Sequence, residues 1–223
     1  MKTNYLLLMF LFCLVFRAQQ NLCDFESNKF IIFGLFKGEL DSLSLNDFPS
    51  VINQSAYCAK YIRDTTFYDF IRIYPTIKLA DVTPYLSNAF SAPKIKMKVF
   101  SKAPIGTLIN LQLGISSVDN YPDGVNSEFI AATTQQNSWE ILNFNYYQSP
   151  IGSLASSQGI DKIVLLFNPG STVQDTFYFD DVIGPDVLFT SKNNLQENVS
   201  ENYFLVTPNP SNQKMYFDLN LRE

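Results

Sequence analysis

Between residues 69 and 79 two kinds of side chain alternate: Ile71, Ile73, Ile77 and Leu79 share one parity, and Phe70, Arg72, Tyr74 and Lys78 share the other. Successive side chains of a strand point to opposite faces, so this run buries its aliphatic set and turns an aromatic and cationic stripe the other way. Flat apolar rings beside hydrogen-bonding groups suit a sugar ring, which has an apolar face and a rim of hydroxyls. Phe70, Arg72 and Tyr74 are therefore candidate ligand-binding residues; the alternative is a stripe covered by a neighbouring loop. Tyr121 is a further candidate, in a segment with Asp119, Asn120, Asp123 and Asn126 that either rims a groove or serves turn chemistry. Trp139 shares parity with Asn143 and Asn145 rather than with Leu142, Phe144 and Tyr146. Strict alternation exposes it as a ligand platform, whereas a bulge near Ile141 would turn it into the core.

The chain has no histidine. That excludes nucleophiles activated by histidine and histidine zinc sites, so catalysis would have to run on carboxylates, Tyr, Lys or Arg. The net charge is −5, and no basic run occurs, which argues against nucleic acid or an anionic membrane as partner.

The elements that must position these residues read as short strands separated by turns, at 22–26, 56–63, 69–79, 94–101, 107–116, 128–134, 138–146, 160–167 and 176–183. Alternation is clearest in Lys94-Ile95-Lys96-Met97-Lys98-Val99, a half-buried strand, and recurs where Ile109, Leu111 and Leu113 oppose Asn110 and Gln112. Residues 163–167 are continuously apolar, the mark of a central strand covered on both sides. Residues 81–86 suit one helical turn begun by Asp81. The expected fold class is all-β, a two-sheet antiparallel β-sandwich.

Residues 1–19 have the layout of a signal peptide: Lys2, an apolar run over 5–16 too short to span a bilayer, and a cleavable Arg17-Ala18-Gln19. The sandwich is expected over 20–188, a polar linker over 189–202 and a further segment over 203–223. The product is expected to be exported, without a membrane span, to the exterior or cell surface. There Cys23 and Cys58 would either form a disulfide or serve as two small buried hydrophobes.

Asp24-Phe25-Glu26, Ala59-Lys60-Tyr61, Asn120-Tyr121-Pro122-Asp123-Gly124, Ala132-Thr133-Thr134, Trp139-Glu140 and Phe177-Tyr178-Phe179-Asp180-Asp181-Val182 occur in this order. Together they resemble the galactose-binding-like jelly-roll carbohydrate-binding modules of secreted bacterial proteins. The resemblance covers most of 22–188 and implies polysaccharide as the partner. It also implies a structural calcium ion (Ca2+) between Glu26 and Asp180 or Asp181; neighbours on a strand point apart, so one aspartate of the two is expected to reach it. Tyr203-Phe204-Leu205-Val206-Thr207-Pro208-Asn209-Pro210 and the following 214–219 resemble the opening of the C-terminal sorting domain read by the type IX secretion machinery. The pattern breaks off at Glu223, which implies a truncated sorting domain and, if that signal fails, a periplasmic product.

The function expected from these residues is non-catalytic binding of an extracellular polysaccharide, neutral or acidic. The alternatives are a structural or adhesive surface module without a sugar ligand, and a jelly roll that cleaves glycans with two carboxylates. Against the last, the acidic residues fall mostly in loops and at strand ends rather than clustered on one strand.

Overall fold

The computed structural model describes residues 19–27 and 29–188. The expected leader, apart from Gln19, and the expected linker and sorting segment, apart from the junction at 188, lie outside the described residues. Among these residues the chain forms eleven strands and one short 3-10 turn, Thr83–Tyr85. The strands are β1 (Gln20–Cys23), β2 (Ile31–Phe36), β3 (Glu39–Leu45), β4 (Tyr57–Ile62), β5 (Ile71–Pro75), β6 (Ile95–Ser101), β7 (Leu108–Gly114), β8 (Val125–Ala132), β9 (Trp139–Gln148), β10 (Lys162–Phe167) and β11 (Thr176–Gly184). No helix among them is long and apolar enough to cross a membrane.

All pairings are antiparallel, and the hydrogen-bonded path runs β2-β5-β10-β7-β8-β9-β6-β11-β4-β3, with β1 also on β11. Strand β9 belongs to both layers: residues 139–144 pair with β6, and residues 145–148 with β8. Sheet I is thus β2-β5-β10-β7-β8 and sheet II is β6-β11-β4-β3 with β1, an all-β antiparallel sandwich.

The core follows from period two. Ile71 and Ile73, Ile109, Leu111 and Leu113, and Ile163, Leu165 and Phe167 turn inward from sheet I. Ile95, Met97 and Val99, Phe177 and Phe179, and Leu142 and Phe144 meet them from sheet II. Phe167 stacks on Phe177 with ring centroids 4.7 Å apart, which locks the two layers where β10 faces β11. Strands β2 and β3 are not among the runs expected from sequence. Most of β3 is exposed, so it lacks a strong apolar signal.

Among the described residues one cationic side chain lies wholly inside. Arg63, just past β4, has no exposed surface. Its guanidinium donates to the carbonyls of Phe167 (2.9 Å), Asp64 (2.7 Å), Val173 (3.0 Å) and Thr66 (3.0 Å), and also to Ser171. Asp69 sits 3.9 Å from Arg63 Nε and accepts the Tyr61 hydroxyl at 2.6 Å, while the Gly38 amide donates to that same hydroxyl at 3.0 Å. Burial pushes the Asp69 carboxyl up, and its hydrogen bond from Tyr61 opposes that. Arg63 thereby ties the segments 64–69 and 168–175 to the sandwich and fixes the entry into β5.

Candidate functional site: the outer face of sheet I

Strand register brings together residues that sequence leaves far apart. Arg72 of β5 is paired with Val164 of β10, Val164 with Gln112 of β7, Gln112 with Glu128 of β8, and Glu128 with Gln148 of β9. Arg72, Val164, Gln112 and Glu128 have the parity opposite to the core residues of their strands; Gln148 shares the parity of Leu142 and Phe144, and the bulge in the β8–β9 pairing sets it opposite Glu128 on the outer face. At the usual interstrand spacing this row is about 19 Å long. The next row, Leu166-Asn110-Ile130-Asn145, alternates aliphatic and amide side chains.

Glu128 is the fixed point of the row. Gln112 Nε2 donates to its Oε1 at 2.9 Å and Gln148 Nε2 to its Oε2 at 2.6 Å, so a buried carboxylate is held between two side-chain amides. Such charge-assisted bonds orient both glutamines across three strands. At the other end Arg72 Nη1 lies 3.1 Å from Asp119 Oδ2, with its guanidinium 5.2 Å from the Phe70 ring centre. Asp119 also meets Lys162 Nζ at 3.4 Å, and Lys162 donates to the Val118 carbonyl at 2.7 Å.

The segment that carries Asp119 and Tyr121 joins β7 to β8, with Asp119 at the Arg72 end of the row and Tyr121 near Glu128 and Tyr147. It needs glycine at Gly124, where a Cβ would run into the Val118 carbonyl oxygen, a backbone atom that cannot swing aside. Tyr121 is exposed, and its phenol is pushed up by partial burial and by the nearby Glu128 and Tyr147. Tyr74 is half-buried and lies across Gly34 of β2, where a Cβ would collide with its ring. Replacing Gly34 with Ala is expected to lift the Tyr74 ring off β2 at small cost in stability, because a ring can rotate away. A ring-current shift of the Gly34 neighbours by NMR reads this out, and an unmoved Tyr74 spectrum would contradict the seating described.

The structure therefore gathers Phe70, Arg72, Tyr74 and Tyr121 on sheet I. It does not bring Trp139 to them. Trp139 keeps the parity that alternation gives it, outward from sheet II with no bulge in its pairing to β6, yet it is only 1% exposed. The segment 46–56 covers that face: Phe48 stacks on Phe100 at 4.3 Å, Phe100 touches Trp139, and Trp139 Nε1 donates to Asn46 Oδ1 at 3.3 Å. Trp139 is thus corrected from ligand platform to the centre of a second small core with Cys58, Phe100 and Tyr178.

Of the two readings of the thiols, the structure shows the buried hydrophobes and not the disulfide. Cys23 and Cys58 are buried and free. Cys23 packs in the main core between the sheets, whereas Cys58 belongs to the small core on the far side of sheet II, so the sheet itself separates them. Burial raises the Cys23 thiol to about 11 and the Cys58 thiol to about 12. Both behave as small hydrophobes.

The three carboxylates expected to meet a metal are divided. Asp181 has φ +47° at a bulge, and its carboxylate pairs with Lys98 at 2.6 Å and accepts from Asn21 at 2.8 Å. Asp180 lies fully buried beneath the 46–56 segment, with Oδ2 lacking a hydrogen-bond partner. Burial raises its carboxyl to about 6, against lowering by Ser55, the Asp181 amide and Asn53. Glu26 accepts the Tyr57 amide at 3.0 Å, and its charge and that of Asp180 both raise the adjacent Cys58 thiol. A hard cation suits a buried carboxylate oxygen that has no partner, with Glu26 on the neighbouring segment. Among the described residues, no cluster of three acidic, cysteine or histidine side chains forms a metal site.

The amide-clamped row was missed in sequence because Gln112, Glu128 and Gln148 carry no motif; outward parity at Gln112 was the one available signal.

No family model matches the chain, and no curated protein matches it. Among solved structures, a family 11 carbohydrate-binding module from a cellulosomal cellulase of Clostridium thermocellum is similar over 78% of this chain and 98% of its own, at 15% identity and TM-score 0.45. A family 30 carbohydrate-binding module from another cellulosomal cellulase of Clostridium thermocellum is similar over 69% and 91%, at 12% identity and TM-score 0.42. An exo-beta-agarase is similar over 75% of this chain and 25% of its own, at 13% identity and TM-score 0.45. At these identities and scores none of them assigns a residue or a ligand to this chain.

Proposed function

We propose that this protein binds a polysaccharide, without cleaving it, along the outer face of sheet I. The observation that carries the reading is the five-strand row Arg72-Val164-Gln112-Glu128-Gln148, whose amides are oriented in advance by one carboxylate and whose ends are flanked by Tyr74 and Tyr121. Oriented amides and guanidinium groups meet hydroxyls, and the rings with Leu166 and Ile130 meet the flat faces of sugars. Ordering these side chains before binding reduces the entropy cost of association. Glu128 and Asp119 are engaged with amide and cationic partners, an arrangement that favours orientation over proton transfer.

The signal-peptide layout of 1–19 supports action outside the cytoplasm, and the 203–219 resemblance supports handling by the type IX machinery. A structural calcium ion held by Asp180 and Glu26 is part of the same proposal. It would supply a cross-link between the segment after β1 and the last strand.

Affinity electrophoresis against a panel of polysaccharides tests the function. Retardation by at least one polysaccharide is expected, weakened about tenfold by Tyr74→Ala and less by the half-buried Phe70→Ala, as loss of one stacking ring implies. Equal retardation of wild type and Tyr74→Ala would move the ligand off this face, and no retardation by any polymer would favour a structural module.

A further inference from the structure

The charges on the sheet I face cancel locally, and one residue does most of the cancelling. Arg72 and Lys162 lie on adjacent strands β5 and β10 of the face, while Lys78 of the same stripe pairs with Asp161 at 3.8 Å. Arg72 and Lys162 both point at the same carboxylate: Asp119 Oδ2 lies 3.1 Å from Arg72, and Oδ1 lies 3.4 Å from Lys162. Asp119 itself is 59% exposed, whereas the Lys162 side chain is almost fully covered, its ammonium held by the Val118 carbonyl and Asp119. The remaining carboxylate of the row, Glu128, is matched by two neutral amides rather than by a cation.

We propose, resting on the polysaccharide reading above, that Asp119 is a specificity residue: it fills from within the chain the anion position between Arg72 and Lys162, and so turns away polysaccharides bearing uronate or sulfate groups while admitting chains of hydroxyls alone. An arriving carboxylate or sulfate finds both cations already neutralised and meets like charge from Asp119 and Glu128. Discrimination by a built-in repulsive group is a common way to gain specificity without tighter contacts to the preferred partner. A hydroxyl suffers no such penalty. Arg72 gives Asp119 one Nη1 contact, and a guanidinium has five N–H donors in all. The Arg72 and Lys162 charges also hold the Asp119 carboxyl below the usual carboxylate range, so the block persists in mildly acidic surroundings.

The experiment compares the whole protein with Asp119→Asn and Asp119→Ala in native gels containing neutral polymers (mixed-linkage glucan, xyloglucan, agarose) or acidic ones (alginate, polygalacturonate, carrageenan). Melting curves establish that each variant is folded. Wild type is expected to be retarded in a neutral gel and to run freely in the acidic ones. Both variants are expected to raise the ratio of acidic to neutral binding about five- to tenfold over wild type, as a single partly screened charge implies, with the gain abolished in high salt. Wild type bound by acidic polymers as tightly as by neutral ones overturns the role of Asp119, as do folded variants whose ratio of acidic to neutral binding equals that of wild type. Retardation of no protein in any gel sinks the polysaccharide reading and this inference together.

Discussion

Arg63→Ala is expected to lower the unfolding free energy by about 3–5 kcal/mol, the range for removing one partner from a buried charged network. The substitution strips hydrogen bonds from the carbonyls of Phe167, Asp64, Thr66, Ser171 and Val173 in one step. It also removes the only cation beside Asp69 among the buried described residues of that network, leaving a buried carboxyl supported by Tyr61 and the Asp64 amide. Urea unfolding of wild type, Arg63→Ala, Asp69→Asn and the double variant measures the coupling directly. Because the 3.9 Å approach to Asp69 is loose while the carbonyl contacts are short, most of the loss should persist when Asp69 is already Asn. A change below about 1 kcal/mol in Arg63→Ala would show that water replaces the guanidinium without strain, contrary to its role as the tie between two loops.

Asp180→Asn should act in the opposite direction when divalent cations are chelated. The Asp180 carboxyl titrates at about 6 in the folded protein, above its ordinary value of 3.8, because it is buried with one oxygen unpartnered. A carboxyl raised in this way leaves the fold most stable below about pH 4, where both states are protonated. Stability then falls as pH rises toward about 6, while the unfolded chain ionises and the folded one resists, and levels off above that. At pH 7 in EDTA the Asn variant is therefore expected to be more stable than wild type by about 2–3 kcal/mol, and at pH 4 the two should converge. Lys98, Asp181 and Cys58 surround the same region, so the quantity to read is the difference between the two proteins across pH. A difference that stays constant from pH 4 to 7 would rule out this origin. Added calcium should raise the melting temperature of wild type alone if Asp180 holds the ion, since only a ligand bound to the folded state stabilises it. Melting unmoved by calcium or EDTA in both proteins would remove the ion.

What the sequence revealed depended on whether a residue's surroundings lay within its own strand. Lys94 to Val99 read correctly because inside and outside alternate there: Ile95, Met97 and Val99 are buried while Lys96 and Lys98 face outward. Residues 163–167 read as central, and β10 does lie between β5 and β7; the half-buried Val164 and Leu166 line the candidate face rather than a covering layer. Arg72 and Tyr74 were legible for the same reason. Parity placed Trp139 outward from sheet II, but it could not show that Phe48, distant along the chain, would cover it. Likewise the amide clamp on Glu128 exists only through register among β7, β8 and β9. Alternation would send Asp181 inward; the left-handed backbone at that residue instead directs it to Lys98.

The order of the strands also sets where the sandwich can loosen. Strand β9 threads both layers, so one side has a continuous spine, whereas β2 and β3 are the two ends of the path. Local opening should therefore begin at that free seam, with amide protons of β2 and β3 exchanging fastest and those of β6 and β9 slowest. Tyr74 sits against β2, so a bound polymer that rests on its ring would slow breathing at the weakest margin of the molecule and leave the spine unaffected.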